Sequence, residues 1–201
     1  MISVVDYDAG NLKSVETALK HLGADFIITR SPEELLESDK VIFPGVGEAS
    51  HAMSVLKKYS LDTALVDFAS SGRPLLGICL GCQILLEFSE EGNTELPGII
   101  PGTVKRFPKE KCSASGLKIP QIGWNTVEHD NSELFDGIPQ ESSFYFVHSY
   151  YLPVSDYTVG KSSYGVDFSA AVRKDNVWGT QFHPEKSGEK GLKLLDNFLR
   201  L

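Results

Sequence analysis

Three residues of types that cooperate in nucleophilic catalysis stand in suggestive settings: Cys79, His183 and Glu185. Cys79 lies in Pro74-Leu75-Leu76-Gly77-Ile78-Cys79-Leu80-Gly81-Cys82-Gln83, where a short apolar run ends in Gly-x-Cys-x-Gly and Ile84-Leu85-Leu86 continue as a helix start. A buried strand turned sharply into a helix thrusts the residue at its tip outward, as in a nucleophile elbow. Gly77 and Gly81 suit such a turn because a Cβ at either would strike the adjoining strand or helix. A helix opening near Leu80 aims free N–H groups at the sulfur, and their partial positive charge favours thiolate over thiol. The same stretch also reads as a buried structural cysteine, the usual fate of a free Cys.

A thiolate needs a base, and Gln181-Phe182-His183-Pro184-Glu185 offers one. Pro184 disfavours helical backbone at His183 and keeps it extended. Residues two apart in extended chain share a side, so Glu185 can hold the far nitrogen of the imidazole. Such a histidine takes the thiol proton and later delivers one to a leaving amine, while the acid fixes its tautomer. The other histidines (His21, His51, His129, His148) have no acid at this spacing. A core or surface histidine with no chemistry is the plainer reading of His183. Pro44-Gly45-Val46-Gly47 supplies a third element: glycine-rich backbone that can turn an N–H into a site. The Val46 or Gly47 N–H and the Leu80 N–H would form an oxyanion hole, where losing one donor typically costs roughly 10²–10³ in rate. An ordinary Gly-Pro turn fits these four residues equally.

Cys79-Leu80-Gly81-Cys82 is also a Cys-x-x-Cys, the spacing of a thiol–disulfide pair at a helix start. Zinc is the weaker alternative, since Cys112 is the one further thiol and no second Cys pair exists. No metal and no cofactor is expected.

The elements that must position these residues follow from periodicity. Ile2 to Asp6 is an apolar strand, Tyr7 to Asn11 a loop, and Leu12, Val15, Leu19 and Leu22 repeat at helical spacing up to Gly23. Phe26 to Ile28 is a second strand, and Ser31-Pro32-Glu33-Glu34 a capping box with proline at the first helical position. Lys40 to Phe43 is a third strand, Ala49 to Lys57 and Leu61 to Ala69 are helices, and Leu75 to Ile78 leads into the elbow. This alternation predicts a mostly parallel sheet with helices on both faces, and ligands gather at the carboxyl ends of such strands. After Phe88 the pattern becomes β-rich and antiparallel: Ile99 to Phe107, Ile119 to Val127, Phe144 to Tyr151, Tyr157 to Ser163, Ser169 to Arg173 and Val177 to Phe182, with a turn at Asp175-Asn176. Lys105, Arg106, Lys109 and Lys111 cluster beside Ser113 to Gly116 and read as a solvated loop. Gly191 to Leu201 closes the chain as an amphipathic helix.

The 201 residues suffice for one domain, 1–201, with a substantial core. A formal net charge of -8 argues against general nucleic-acid affinity. No apolar run long enough to span a membrane and no signal-like N-terminus is seen. Three cysteines form no disulfide framework, which points to a reducing, cytoplasmic setting.

Gly77-Ile78-Cys79-Leu80-Gly81, with His183-Pro184-Glu185 far downstream, resembles the class I (triad) glutamine amidotransferases over the whole chain. The resemblance implies that Cys79, His183 and Glu185 release ammonia from L-glutamine, that Gln83 contacts the bound glutamine, and that His148, Ser149 and Tyr150 line its α-amino and carboxylate end. Gly10-Asn11-Leu12, Gly123-Trp124-Asn125, Tyr145 to Tyr150 and Gln181 to Ser187 are similar to the glutaminase subunits of imidazole glycerol phosphate synthase. That implies a heterodimer with a (β/α)₈ cyclase subunit, faced by Asn11, Trp124, Tyr145 and Lys186. It also implies low activity alone, with the Pro44 to Gly47 loop realigned on docking. Gln121 and Asp8 depart from that subfamily's usual His and Gly and are expected in loops near the partner face. Pyridoxal-phosphate or anthranilate types of the class, and a free-standing γ-glutamyl cysteine hydrolase, are the alternatives.

Overall fold

The computed structural model describes residues 1–8 and 11–201. Its first half alternates β1 (Ile2–Val5), α1 (Leu12–His21), β2 (Phe26–Thr29), α2 (Pro32–Glu37), β3 (Lys40–Gly45), α3 (Ala49–Lys58), α4 (Leu61–Ser70), β4 (Leu75–Cys79) and α5 (Leu80–Ile84). The second half holds β5 (Phe88–Ser89), β6 (Thr94–Glu95), β7 (Thr103–Arg106), α6 (Lys109–Ala114), β8 (Gln121–His129), β9 (Ser142–His148), β10 (Tyr150–Pro153), β11 (Thr158–Ser163), β12 (Asp167–Lys174), β13 (Val177–Thr180) and α7 (Gly188–Arg200).

Strands run β2-β1-β3-β4-β13-β12-β10-β7-β5-β6, and every pair from β2 to β13 is parallel. β12 and β13 are antiparallel, and β8, β9 and β11 extend the sheet off this path. The period of two along each strand splits the core between the faces. Val4, Ile42, Leu76, Ile78 and Trp178 pack toward α1 and α7, with Val15, Leu19, Leu194, Leu195 and Phe198. Val5, Val41, Phe43 and Leu75 pack toward α3 and α4, with Met53, Leu56, Leu65 and Phe68. This is the expected α/β architecture with an antiparallel extension. Ser31 caps α2, its hydroxyl accepting the Glu34 N–H at 3.2 Å.

Some boundaries differ. Residues 109–114 form a helix, where a loop was expected, because the buried Cys112 anchors it and its thiol donates to the Tyr164 carbonyl at 3.8 Å. The segment from Ile99 to Phe107 is strand only at Thr103–Arg106. The run from Phe144 to Tyr151 breaks at Ser149, where the chain leaves β8 and pairs instead with β7 and β12.

Candidate active site

Strands β3, β4 and β13 are parallel neighbours, so their carboxyl ends emerge side by side. Gly45 pairs with Cys79 in register, and Thr180 with Ile78. Topology alone thus brings Pro44 to Gly47, Cys79 and Gln181 to Glu185 to one edge. Cys79 adopts φ 54° and ψ -109°, a strained conformation for a residue with a side chain. The packing around the elbow imposes it: a Cβ on Gly81 would lie 1.8 Å from the Phe43 carbonyl oxygen, and one on Gly77 would lie 2.8 Å from the Cys82 backbone. The sulfur is 3.8 Å from both the Val147 carbonyl oxygen and the Gln181 side-chain nitrogen.

His183 is fully buried, its backbone N–H donating to the Tyr145 carbonyl at 2.9 Å and its carbonyl accepting from Ser187 Oγ at 2.6 Å. Nδ1 meets Glu185 Oε1 at 2.8 Å. The expected pair therefore forms, but by another route. His183 is extended (φ -98°, ψ 95°), whereas Pro184–Lys186 is a 3₁₀ turn that folds Glu185 back beneath the ring. Proline at the first position of that turn favours the tighter helical start. Burial disfavours the imidazolium, but the charge on Cys79, its hydrogen bond and the Glu185 carboxylate outweigh this and push His183 up to about 10. Among the described residues Nε2, the nitrogen free of Glu185, has no partner in full hydrogen-bond geometry, and Cys79 is the sulfur that acts on the ring.

Asn11, expected to face a partner, is buried within this chain, and its amide donates to Glu185 Oε1 and approaches His183 Nδ1 at 3.5 Å. It restrains the carboxylate because the loop after β1 leaves the same sheet edge. Gly10 lies outside the described residues.

Val46, Gly47, Cys79, Leu80, Gln83, Val147, His148, Ser149 and Tyr150 line one cavity of about 120 Å³. The proposed oxyanion and glutamine-binding residues thus surround the nucleophile. Glu91 lines it too, its carboxylate accepting the Ala49 N–H at 2.9 Å. Burial raises the Glu91 pKa, the Ala49 N–H lowers it and Glu48 raises it. Read as sequence, Glu90 to Asn93 is only a polar loop. Gln83 donates to the Tyr150 carbonyl at 2.9 Å and to Gln181 Oε1 at 3.0 Å. His148 is held neutral: burial lowers it to about 4, with the Tyr150 carbonyl opposing and the charge of His183 assisting.

Trp124 and Lys186 are exposed, and the half-buried Tyr145 ring meets Trp124 edge-on with centroids 6.1 Å apart. Gln121 corrects one expectation: it is buried as the first residue of β8, with its carboxamide against His148. Asp8 sits in a bend with φ 66°, which explains a preference for glycine there, and an ion pair with Arg30 at 2.9 Å holds it. The Cys-x-x-Cys reading fails on packing. Cys82 is fully buried, and a Cβ on Gly179 would lie 2.5 Å from its sulfur. Burial and then the charge on Cys79 raise its thiol far above the ordinary range.

A family model described as Glutamine amidotransferase class-I matches residues 3–201. The "Imidazole glycerol phosphate synthase subunit HisH" of Bacteroides fragilis is 48% identical, covering 100% of this chain and 99% of that one. Its counterpart in Herpetosiphon aurantiacus is 46% identical, covering 100% and 94%. Among solved structures, "Structure of PurLQS from Thermotoga maritima" superposes with a TM-score of 0.75 at 20% identity, covering 99% of this chain and 97% of that one, a likeness of fold. An elbow cysteine, a carboxylate-held histidine and full-length matches together show that this chain belongs to the class-I glutamine amidotransferase family, among the HisH subunits of imidazole glycerol phosphate synthase.

Proposed function

We propose that this chain, acting as a single domain, hydrolyses glutamine to glutamate and ammonia as the glutaminase subunit of imidazole glycerol phosphate synthase. The observation that carries this reading is the histidine with Glu185 on Nδ1 and its other nitrogen free for Cys79. The Cys79 thiolate attacks the γ-carbonyl carbon of glutamine. The resulting oxyanion is held by N–H groups of Val46 or Gly47 and of Leu80. The His183 imidazolium gives its proton to the departing nitrogen, which leaves as ammonia. A water molecule then attacks the thioester carbonyl, His183 takes the water's proton and returns it to sulfur, and glutamate is released. Glu185, steadied by Asn11, keeps the proton of Nδ1 in place and stabilises the imidazolium. Gln83, Glu91, Ser149 and Tyr150 hold the amino-acid end of the substrate, with the Glu91 carboxylate placed for the ammonium.

The ammonia passes to a cyclase subunit with a (β/α)₈ barrel. That subunit forms imidazole glycerol phosphate and an aminoimidazole carboxamide ribonucleotide in histidine biosynthesis. Ammonia released to water at neutral pH is mostly protonated and no longer nucleophilic, which is the reason for a direct hand-over. Trp124, Tyr145 and Lys186 face the partner. We place the reaction in the cytoplasm; among the described residues no helix is long and apolar enough to cross a membrane. The test is Cys79→Ala in the complex with the cyclase. Glutamine-dependent synthesis is lost while synthesis from added ammonium salt persists; retained glutamine hydrolysis would refute the assignment.

A further inference from the structure

A run of buried polar contacts leads away from the sulfur, beyond the groups that the chemistry uses. The Gln181 amide nitrogen is 3.8 Å from Cys79 Sγ, and Gln181 Oε1 accepts from Gln83 at 3.0 Å. The Gln83 amide also donates to the Tyr150 carbonyl at 2.9 Å, and His148 Nδ1 lies 2.7 Å from that same oxygen. His148 Nε2 then lies 2.9 Å from Gln121 Oε1. Gln181, Gln83, His148 and Gln121 are all buried. The run ends at the first residue of β8, whose next residues include the exposed Ile122 and Trp124.

Donor and acceptor roles follow from the chemistry. A carbonyl only accepts, so the proton of the His148 ring is on Nδ1. A neutral imidazole then carries a lone pair on Nε2, which only the NH₂ end of the Gln121 carboxamide can satisfy, so the two ends of that amide, nearly alike in shape, are exchanged relative to the 2.9 Å Oε1 contact. The Tyr150 oxygen takes two donors, and both N–H groups of Gln83 are committed. The oxygen of the Gln83 side chain is thereby the polar atom left for a ligand in the cavity it lines.

We propose that Gln121 is a positioning residue of the glutamine site: its N–H fixes His148 in the Nδ1–H tautomer, His148 holds the Tyr150 carbonyl, and that carbonyl with Gln181 turns the Gln83 oxygen toward the substrate. This rests on the glutaminase reading and adds to it a polar link from the exposed strand β8 to the nucleophile. The first test is the ¹⁵N spectrum of histidine-labelled full-length chain at neutral pH, with His148 assigned by its loss in His148→Asn. A protonated Nδ1 with a bare Nε2 is expected. A ring protonated on Nε2, or on both nitrogens, overturns the proposal whatever the chain catalyses.

The second test is kinetic, in the complex with the cyclase. Gln121→Met keeps the size and offers neither donor nor acceptor. Leaving a buried ring nitrogen unsatisfied is expected to raise KM for glutamine roughly tenfold, with kcat changed by less than about threefold. A lowered melting temperature with KM unchanged would reduce Gln121 to a packing role and overturn the proposal. Failure of the glutaminase reading looks different: the wild-type complex would release no glutamate.

Discussion

Glu185→Gln isolates the electrostatic part of the triad, because Asn11 and His183 together dictate how the new side chain sits. Both direct donors at the same carboxylate oxygen, Asn11 Nδ2 and His183 Nδ1. A carboxamide must therefore keep its oxygen there, since reversing it would set three donors against one another. The tautomer of His183 survives and the charge is lost. Both side chains are completely excluded from solvent, so water screens little of that charge. Opposite unit charges about 4 Å apart interact by about 4 kcal/mol at an effective dielectric of ~20. At about 1.4 kcal/mol per decade, this places kcat roughly 10²–10³ below wild type. A second effect is separable. Among the described residues Glu185 Oε2 is buried with no partner, and the substitution puts an NH₂ there with no acceptor among them. That costs about 1–3 kcal/mol of stability, or roughly 2–10 °C in melting temperature for a chain of this size. Glutamate release by the activated complex, coupled to glutamate dehydrogenase, measures the first effect, and thermal unfolding of the chain measures the second. A kcat within about threefold of wild type, with folding intact, would refute the claim that Glu185 acts electrostatically on His183.

Gly81→Ala drives a Cβ to 1.8 Å from backbone oxygen of Phe43, so β3 and α5 must part; calorimetry should show a loss of roughly 3 kcal/mol or more, and labelling of Cys79 by an electrophilic glutamine analogue should slow. Tyr7→Phe removes a buried hydroxyl that has no partner among the described residues and, through burial and then the charge on Cys79, an ionisation raised far above the ordinary phenol range; a melting temperature equal to wild type or higher by up to about 4 °C is expected, and a fall of that size would show that the hydroxyl is satisfied. His183, held up at about 10, stabilises the fold fully below its unfolded value of about 6.5 and loses that contribution as pH climbs through about 10, so wild type should lose melting temperature over that climb relative to His183→Gln; parallel curves would contradict this.

Local rules carried much of this protein in one dimension. Apolar period decided strand or helix for the first half, and the glycines flanking Cys79 mark an elbow. Chain order also announced the parallel sheet, which by itself puts Gly45, Cys79 and the segment after β13 at one edge. Local rules misjudged the short 109–114 helix, whose apolar signal is the single buried Cys112. They also misjudged the turn at Pro184, because the backbone there answers to His183 and Ser187 contacts made in the folded site.

What only the tertiary structure decided is the fate of the polar residues. Asn11, Glu91, Gln121 and Gln181 carry no periodic or spacing signal, since a polar side chain in a strand or loop reads the same whether it meets water or a partner distant in sequence. The sheet brought Asn11 to Glu185, Glu91 to the cavity, and Gln121 to His148. Burial there removes water as an alternative partner, so each amide and carboxylate must be answered by another protein group. Backbone pattern is set by neighbours along the chain, but the pairing of buried polar groups is set by neighbours in space.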